Sequence, residues 1–116
     1  MKLGKIVSRI EIDPRKLTDY ALNPDNPVGK DKAIVFERQL GYTRSNYEHL
    51  LTARRLAVLD AEAEPTTQDE HGQRYRVDLT IQGINEQTAV VRTGWIVEMN
   101  KDVARLVTLS VRSPNG

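Results

Sequence analysis

The side chains of this chain that could do chemistry fall into two groups. The first sits in the stretch Asn23-Pro-Asp-Asn-Pro-Val-Gly-Lys-Asp-Lys-Ala33. Pro24 and Pro27 fix two φ angles there, Gly29 permits an otherwise strained turn, and the stretch runs straight into a helical pattern. A stiff polar loop of this kind holds side chains at fixed positions, here Asn26 and Lys32. The second group lies on alternating stretches of the C-terminal half: Arg74, Tyr75 and Arg76, then Arg92, Thr93 and Trp95, then Arg105 and Thr108. Arginine, threonine and an aromatic ring on one sheet face suit gripping a phosphodiester and stacking a base. Metal-independent cleavage of RNA needs little more: a base for the 2′-hydroxyl, an acid for the leaving oxygen, and cations for the charge on phosphorus. The same residues have a plainer reading, in which Trp95 is core and the arginines are solvated strand residues, because alternation alone explains every one of these positions.

Other chemistries find no footing. The chain has no Cys, which excludes a disulfide framework, a thiolate zinc site and a Cys nucleophile. His49 falls in a helical stretch with Ser45 and Ala53 at i−4 and i+4, so no metal-ligand pair forms around it. No metal and no cofactor are expected. His71 precedes Gly72 between an acidic stretch and the first strand; it reads as a turn residue, with general acid–base chemistry as the alternative. Val28-Gly-Lys-Asp lacks the spaced glycines and the Lys-Ser/Thr ending of a phosphate loop, and no serine sits in a nucleophile elbow.

The elements that must hold the two groups are legible by period. Residues 5–12 alternate weakly and read as a strand or an extended arm. Asp13-Pro14 opens a short helix over about 14–21, which Asn23-Pro24 stops. A second helix over about 31–40 carries Ala33, Phe36 and Leu40 on one face, closed by Gly41 with Tyr42 behind it. Ser45-Asn-Tyr-Glu48 reads as a capping box for a third helix over about 46–61. Residues 62–70 are polar and acidic and read as a loop. Three strands follow, at 73–82, 87–98 and 103–112, joined by short turns as an antiparallel meander; in the last, Val103, Arg105, Val107, Leu109 and Val111 share a face. The expected fold is α+β: N-terminal helices packed on a C-terminal antiparallel meander sheet, in one domain spanning 1–116.

At 116 residues, 39% hydrophobic and 28% charged, such a domain buries a modest core, mostly Leu, Val and Ile, and dissolves readily. A net charge of +1 argues against bulk coating of nucleic acid. Residues 1–60 nevertheless carry eleven Lys/Arg against eight Asp/Glu, and residues 61–116 six against eight, so a local basic patch in the first half is open. No apolar run approaches the roughly 20 residues of a membrane span, and the N-terminus does not read as a signal peptide. A cytoplasmic site of action and no membrane association are expected.

The run Lys16-Leu-Thr-Asp-Tyr-Ala-Leu-Asn-Pro-Asp-Asn-Pro-Val-Gly29, with Lys32-Ala33 and Phe36, then Gly72-Gln-Arg-Tyr75, Val77-Asp78, Arg92-Thr-Gly-Trp95 and Arg105-Leu-Val-Thr108, resembles a bacterial family of unknown function. Its members occur as small stand-alone proteins and at the C-terminal ends of polymorphic toxins. The layout of helices followed by an antiparallel sheet is also similar to the barnase, EndoU, colicin D and RelE group of metal-independent RNases. The resemblance implies an RNase toxin-like domain acting on tRNA or ribosomal RNA, with a cognate antitoxin or immunity protein as partner. It further implies that Asn26, Lys32, Arg74, Thr93 and Thr108 are the catalytic set, with Tyr75, Arg92, Trp95 and Arg105 binding substrate. The family's loop usually reads His-Pro-x-Gly where this chain has Asn26-Pro-Val-Gly, and an amide cannot exchange a proton near neutral pH as an imidazole can. Three explanations stand side by side: the histidine only orients the loop, this copy is inactive, or the residue was changed so that a toxic protein could be produced. His71 stands where the family tends to have an aromatic. The alternative function is a non-catalytic interaction module of a toxin–antitoxin or phage-defence pair.

Overall fold

The computed structural model describes residues 1–26, 30–48 and 57–112. In chain order it shows a short 3₁₀ turn at Leu3–Lys5, strand β1 at Arg9–Glu11, a π-helical turn at Lys16–Ala21 and helix α1 at Lys30–Leu40. Strands β2 at Glu64–Asp69, β3 at Gly72–Gln82, β4 at Thr88–Val97 and β5 at Val103–Val111 follow. They form one five-stranded sheet in the order β1-β5-β4-β3-β2. The meander β3-β4-β5 is antiparallel and falls within a residue of its expected bounds. β1 adds in parallel to β5, and β2 adds antiparallel to β3. The class is therefore α+β, with a mixed sheet and one main helix among the described residues.

Several expectations about the first half need correction. The first expected helix is a single π-helical turn. Asp13 does open it, its carboxylate accepting the Arg15 N–H at 3.0 Å, but two asparagines end it. Asn23 and Asn26 both donate side-chain N–H groups to the Asp19 carbonyl, at 3.3 and 2.8 Å. Of the third expected helix, residues 47–48 and 57–59 are helical, while 46, 60 and 61 are not; residues 49–56, with His49, lie outside the described residues. Its entry is shaped by Asn46, which accepts the Thr43 N–H and donates to the Gly41 carbonyl, while the Ser45 hydroxyl pairs with that of Thr43. Residues 5–12 contain a strand only at 9–11. The expected loop at 62–70 is largely β2, an edge strand whose six residues are all exposed. It has no apolar period because it buries nothing, and its proline and acids are typical guards of an edge.

The core lies between the sheet and α1. Ala33, Phe36 and Leu40 are buried on the inner face of the helix against Val77, Ile81, Val91, Trp95, Leu106 and Leu109 of the sheet. The helix ends as the sequence implies: Gly41 takes φ +75° and donates to the Glu37 carbonyl, and Tyr42 is buried behind it. The β3–β4 turn then docks on this end, with the Ile84 N–H donating to the Leu40 carbonyl at 3.0 Å. A side chain on Gly83 would come within 2.2 Å of that carbonyl, so only glycine allows the approach.

The alternation expected in β5 fails for a local reason. Gly94 pairs with Thr108 and Trp95 with Leu106, so Val107 is an extra residue, a bulge. Ala104 and Leu106 consequently join Leu109 inside, while Arg105 is exposed.

Candidate functional site

The register sorts the polar side chains of the sheet into rows. Partners directly opposite on adjacent strands share a face. One row is Arg74, Ile96 and Arg105; the next is Arg76, Gly94 and Thr108; the third is Asp78, Arg92 and Ser110. These lie on the face opposite the core. Four arginines from three consecutive strands thus share one face, and the middle row has a glycine at its centre. Gly94 contributes no side chain, and the Thr108 methyl lies over it, 2.9 Å from where a Cβ would stand.

Each arginine has an acidic neighbour. Arg92 makes a two-pronged contact with Asp78 at 3.0 and 3.1 Å. That contact holds the Asp78 carboxyl below its usual range and raises the Arg92 guanidinium further. Arg112 stands 3.9 Å from the same carboxylate. Arg76 pairs with Glu64 of β2, Arg74 lies 3.9 Å from Asp69, and Arg105 bonds Glu98 at 3.0 Å. The carboxylates fix the fans of guanidinium groups in place and cancel part of their charge.

Two clefts meet at Val107 and Thr108. The first, about 240 Å³, opens over Gly94 and is bordered by Thr66, Arg74, Arg76, Arg92 and Thr108. The second, about 550 Å³, lies at the outer edge of β5 beyond the end of β1 and is bordered by Asp13, Arg15, Lys16, Asp19 and Asn26. Lys32 arrives from α1, its Nζ donating to Thr108 Oγ1 at 3.2 Å. Thr108 is the hinge between the loop group and the sheet group: it touches Lys32, borders the cleft that holds Asn26, and borders the cleft that holds Arg74 and Arg92. In the second cleft Arg15 grips Asp13, by its side chain first and its backbone N–H second, and holds that carboxyl at about 2. Asp13 is therefore ionised throughout the neutral range.

Tyr75, Thr93 and Trp95 also border the first cleft, but their side chains are turned toward the core. Thr93 is buried; its hydroxyl donates to the Val77 carbonyl and accepts the Trp95 indole N–H, both at 2.7 Å. Trp95 is buried with it, so its ring is a core ring. Tyr75, its cross-strand partner, is half-buried on the same inner face. Arg105 borders a third cleft, about 630 Å³, at the end of the sheet, with Glu70, His71, Arg74, Ile96, Glu98 and Met99. Sequence reasoning left Asp13, Arg15, Lys16 and Asp19 out of the site. The signal for Asp13 was spent on helix capping, Arg15 carried none, and nothing local says that this turn flanks β5. Among the described residues no cluster of three or more His, Cys, Asp or Glu side chains could hold a metal ion. No described helix is long and apolar enough to cross a membrane.

The fold and the site together define a small α+β domain with a helix on one face of its sheet, arginine rows on the other and a polar cleft at the open edge. The chain belongs to the family described as a domain of unknown function, DUF6883, whose profile matches residues 2–113. Its fold is shared with a chain of the contact-dependent growth inhibition toxin–immunity protein complex from Klebsiella pneumoniae 342. The TM-score is 0.65 and the identity 16%, over 87% of this chain and 98% of that one. At that identity the likeness is one of fold. No curated protein matches the chain.

Proposed function

We propose that this domain is a metal-independent RNA-cleaving domain of a toxin–immunity pair, gripping the RNA backbone across the outer face of the sheet. The observation that carries this reading is the convergence on Thr108: a lysine from α1 bonds it, and the loop residue Asn26 and arginines of β3 and β4 border the two clefts that share it. Lys32, Arg74, Arg76 and Arg92 supply cations for phosphate oxygens. The gap over Gly94 gives a backbone room to lie close to the strands. Thr108 adds a neutral donor, and Asn26 frames the edge. The fold shared with a chain of a toxin–immunity complex supports a place in such a pair, with a cognate antitoxin or immunity protein as partner and tRNA or ribosomal RNA as substrate.

The test is binding of a single-stranded RNA oligonucleotide with chelator present, over a range of salt. Arg74→Gln combined with Arg76→Gln should weaken binding about tenfold and flatten the salt dependence by roughly two phosphate contacts. Unchanged affinity and slope would remove RNA from the outer face. Position 26 is tested by Asn26→His, induced in growing bacteria beside the parent: faster loss of growth and more degraded RNA than with the parent are expected, and growth and RNA no different from the parent's would strip the position of a role.

The carboxylates beside the arginines favour a second reading. Asp78, Glu64, Asp69 and Glu98 bring the face close to neutrality, which suits a protein partner better than a polyanion. A non-catalytic module of this kind would bind an immunity or enzyme subunit with the arginine face and leave RNA untouched in the same assay.

A further inference from the structure

Resting on the RNA-cleaving reading, we propose that His71 is its proton-transfer group and works from the cleft at the end of the sheet. The clefts at Thr108 hold no histidine among the residues that border them. The amide of Asn26 does not exchange protons, and Asp13 is occupied by Arg15. The cleft at the sheet end, by contrast, gathers an imidazole, two guanidinium groups and two carboxylates.

The placement of His71 is fixed from both sides. Its N–H donates to the Asp69 carboxylate at 2.8 Å, which sets the β2–β3 turn. The next residue, Gly72, takes φ +132° with its back to β4; a Cβ there would stand 2.3 Å from the Val97 carbonyl. The turn is therefore pressed onto the end of β4, and no other residue type fits at position 72. The ring itself is open to solvent, with side-chain exposure of 68% and Nε2 3.6 Å from Glu70 Oε1. Arg74 and Arg105 flank buried Ile96 as register partners, two strand spacings or roughly 10 Å apart. A phosphate held between two such side chains lies over Ile96, in the row nearest the β2–β3 turn. The groups facing His71 across the cleft are Glu70 on its own turn, Arg74 on β3, Arg105 on β5 and Glu98 after β4. Glu98 also bonds Lys101.

The step balances without metal or redox partner. Neutral His71 takes the proton of a ribose 2′-hydroxyl as that oxygen bonds to the adjacent phosphorus. The bond from phosphorus to the 5′ oxygen breaks, and the leaving oxygen takes a proton from water. The products are a 2′,3′-cyclic phosphate and a 5′-hydroxyl, and the imidazolium returns its proton to solvent. Arg74 and Arg105 hold the phosphate oxygens as charge builds on them.

The experiment compares the whole chain and its His71→Ala variant on one RNA oligonucleotide with chelator present, reading binding and single-turnover cleavage separately. The variant should bind within about twofold of the parent yet cleave at least about 100-fold more slowly. Free imidazole should restore part of the rate, which a merely structural role would not allow. Parent-like cleavage by His71→Ala overturns the assignment and leaves the RNA-cleaving reading standing. A parent that binds RNA without cutting it overturns the assignment and any catalytic reading while sparing the binding face. A parent that binds no RNA overturns all of it.

Discussion

Thr93 and Thr108 stand on neighbouring strands of one sheet, and the two faces put the same hydroxyl to opposite uses. On the inner face Thr93 spends both of its capacities within the fold, donating to Val77 and accepting from Trp95. It is 5% exposed and holds the ring that fills the core beside it. On the outer face Thr108 is exposed, lies over a glycine and accepts a lysine from another element. A buried hydroxyl with both partners in place is a structural strut, because leaving either partner unmet costs more than the bond itself gains. An exposed hydroxyl beside a cation exchanges its partner for water or a ligand at small cost. Residue type is equal at the two positions; the pleat decides the role.

The comparison breaks first at Thr93. Replacing it by Val keeps the shape but leaves the indole N–H of Trp95 buried without an acceptor. Thr93→Val should lose about 2–4 kcal/mol of stability, read from the urea midpoint with an unchanged slope. A loss under about 0.5 kcal/mol would mean that water or another group serves the indole. The next largest effect belongs to the outer face. Thr108→Val together with Lys32→Met should cost less than about 1 kcal/mol of stability while weakening RNA binding about tenfold. Equal stability losses at the two threonines would erase the distinction.

What could be read from sequence follows the same division. β3 and β4 were legible because each buries close to every second side chain and is bounded by a tight turn, so Val77, Leu79, Ile81 and Val91 announce their face; β5 was legible by its bounds, although its alternation breaks at Val107. Ala33, Phe36 and Leu40 did the same for α1. β2 was illegible because Glu64-Pro-Thr-Thr-Gln-Asp69 buries nothing and owes its strand conformation to the β3 edge. The bulge at Val107 was invisible for a different reason. It depends on how β5 meets β4, and Gly94 gives no side-chain pattern to betray it. That one residue turned Leu106 inward and left Arg105 outside. Asp13 was read as opening a helix, which is a single π-helical turn, and the place of Asp13 and Arg15 beside β5 is a long-range fact that no local pattern carries. Residues 23–26 of the loop are irregular as expected, and Asn23 and Asn26 proved to supply the closing bonds of the turn before it; Pro27, Val28 and Gly29 lie outside the described residues. For Thr93 and Trp95 both a substrate-facing and a core position were compatible with the alternation, and the core position describes where they sit.

The arginine face can be sharpened through Asp78. The Asp78 carboxylate fixes Arg92 and cancels its charge at once, and only the second effect opposes a polyanion. Asp78→Asn keeps the side-chain size and removes the negative charge. If cancelling charge outweighs aiming the guanidinium, RNA should bind roughly threefold more tightly with a steeper salt dependence. A fall in affinity would mean that the aim matters more. Stability should move by less than about 1 kcal/mol, because the pair is partly solvated.

The smallest expected effect lies at the far edge, where β1 meets β5 over only three residue pairs. Its anchor is Asp102 in the β4–β5 turn, which accepts the Ser8 N–H at 2.9 Å and also the Ser8 hydroxyl. These bonds, the hydroxyl's first, hold the Asp102 carboxyl below its ordinary value of 3.8. A carboxyl whose value is depressed on folding stabilises the folded state above its unfolded value, and that contribution fades as pH falls through the folded one. β1 should therefore loosen in acid below the ordinary carboxyl range while the meander stays paired. Hydrogen exchange measured near pH 3 and near pH 6 tests this at the amides of 9–11 and 103–105. Protection there should drop at the lower pH relative to Val77 and Val91, after correction for the intrinsic rate. Asp102→Asn should abolish most of the difference between the two conditions, since its amide no longer titrates. A pH difference that persists in this variant would place the acid-sensitive anchor of β1 elsewhere, with Glu62 at the N-terminal ammonium as the next group to change.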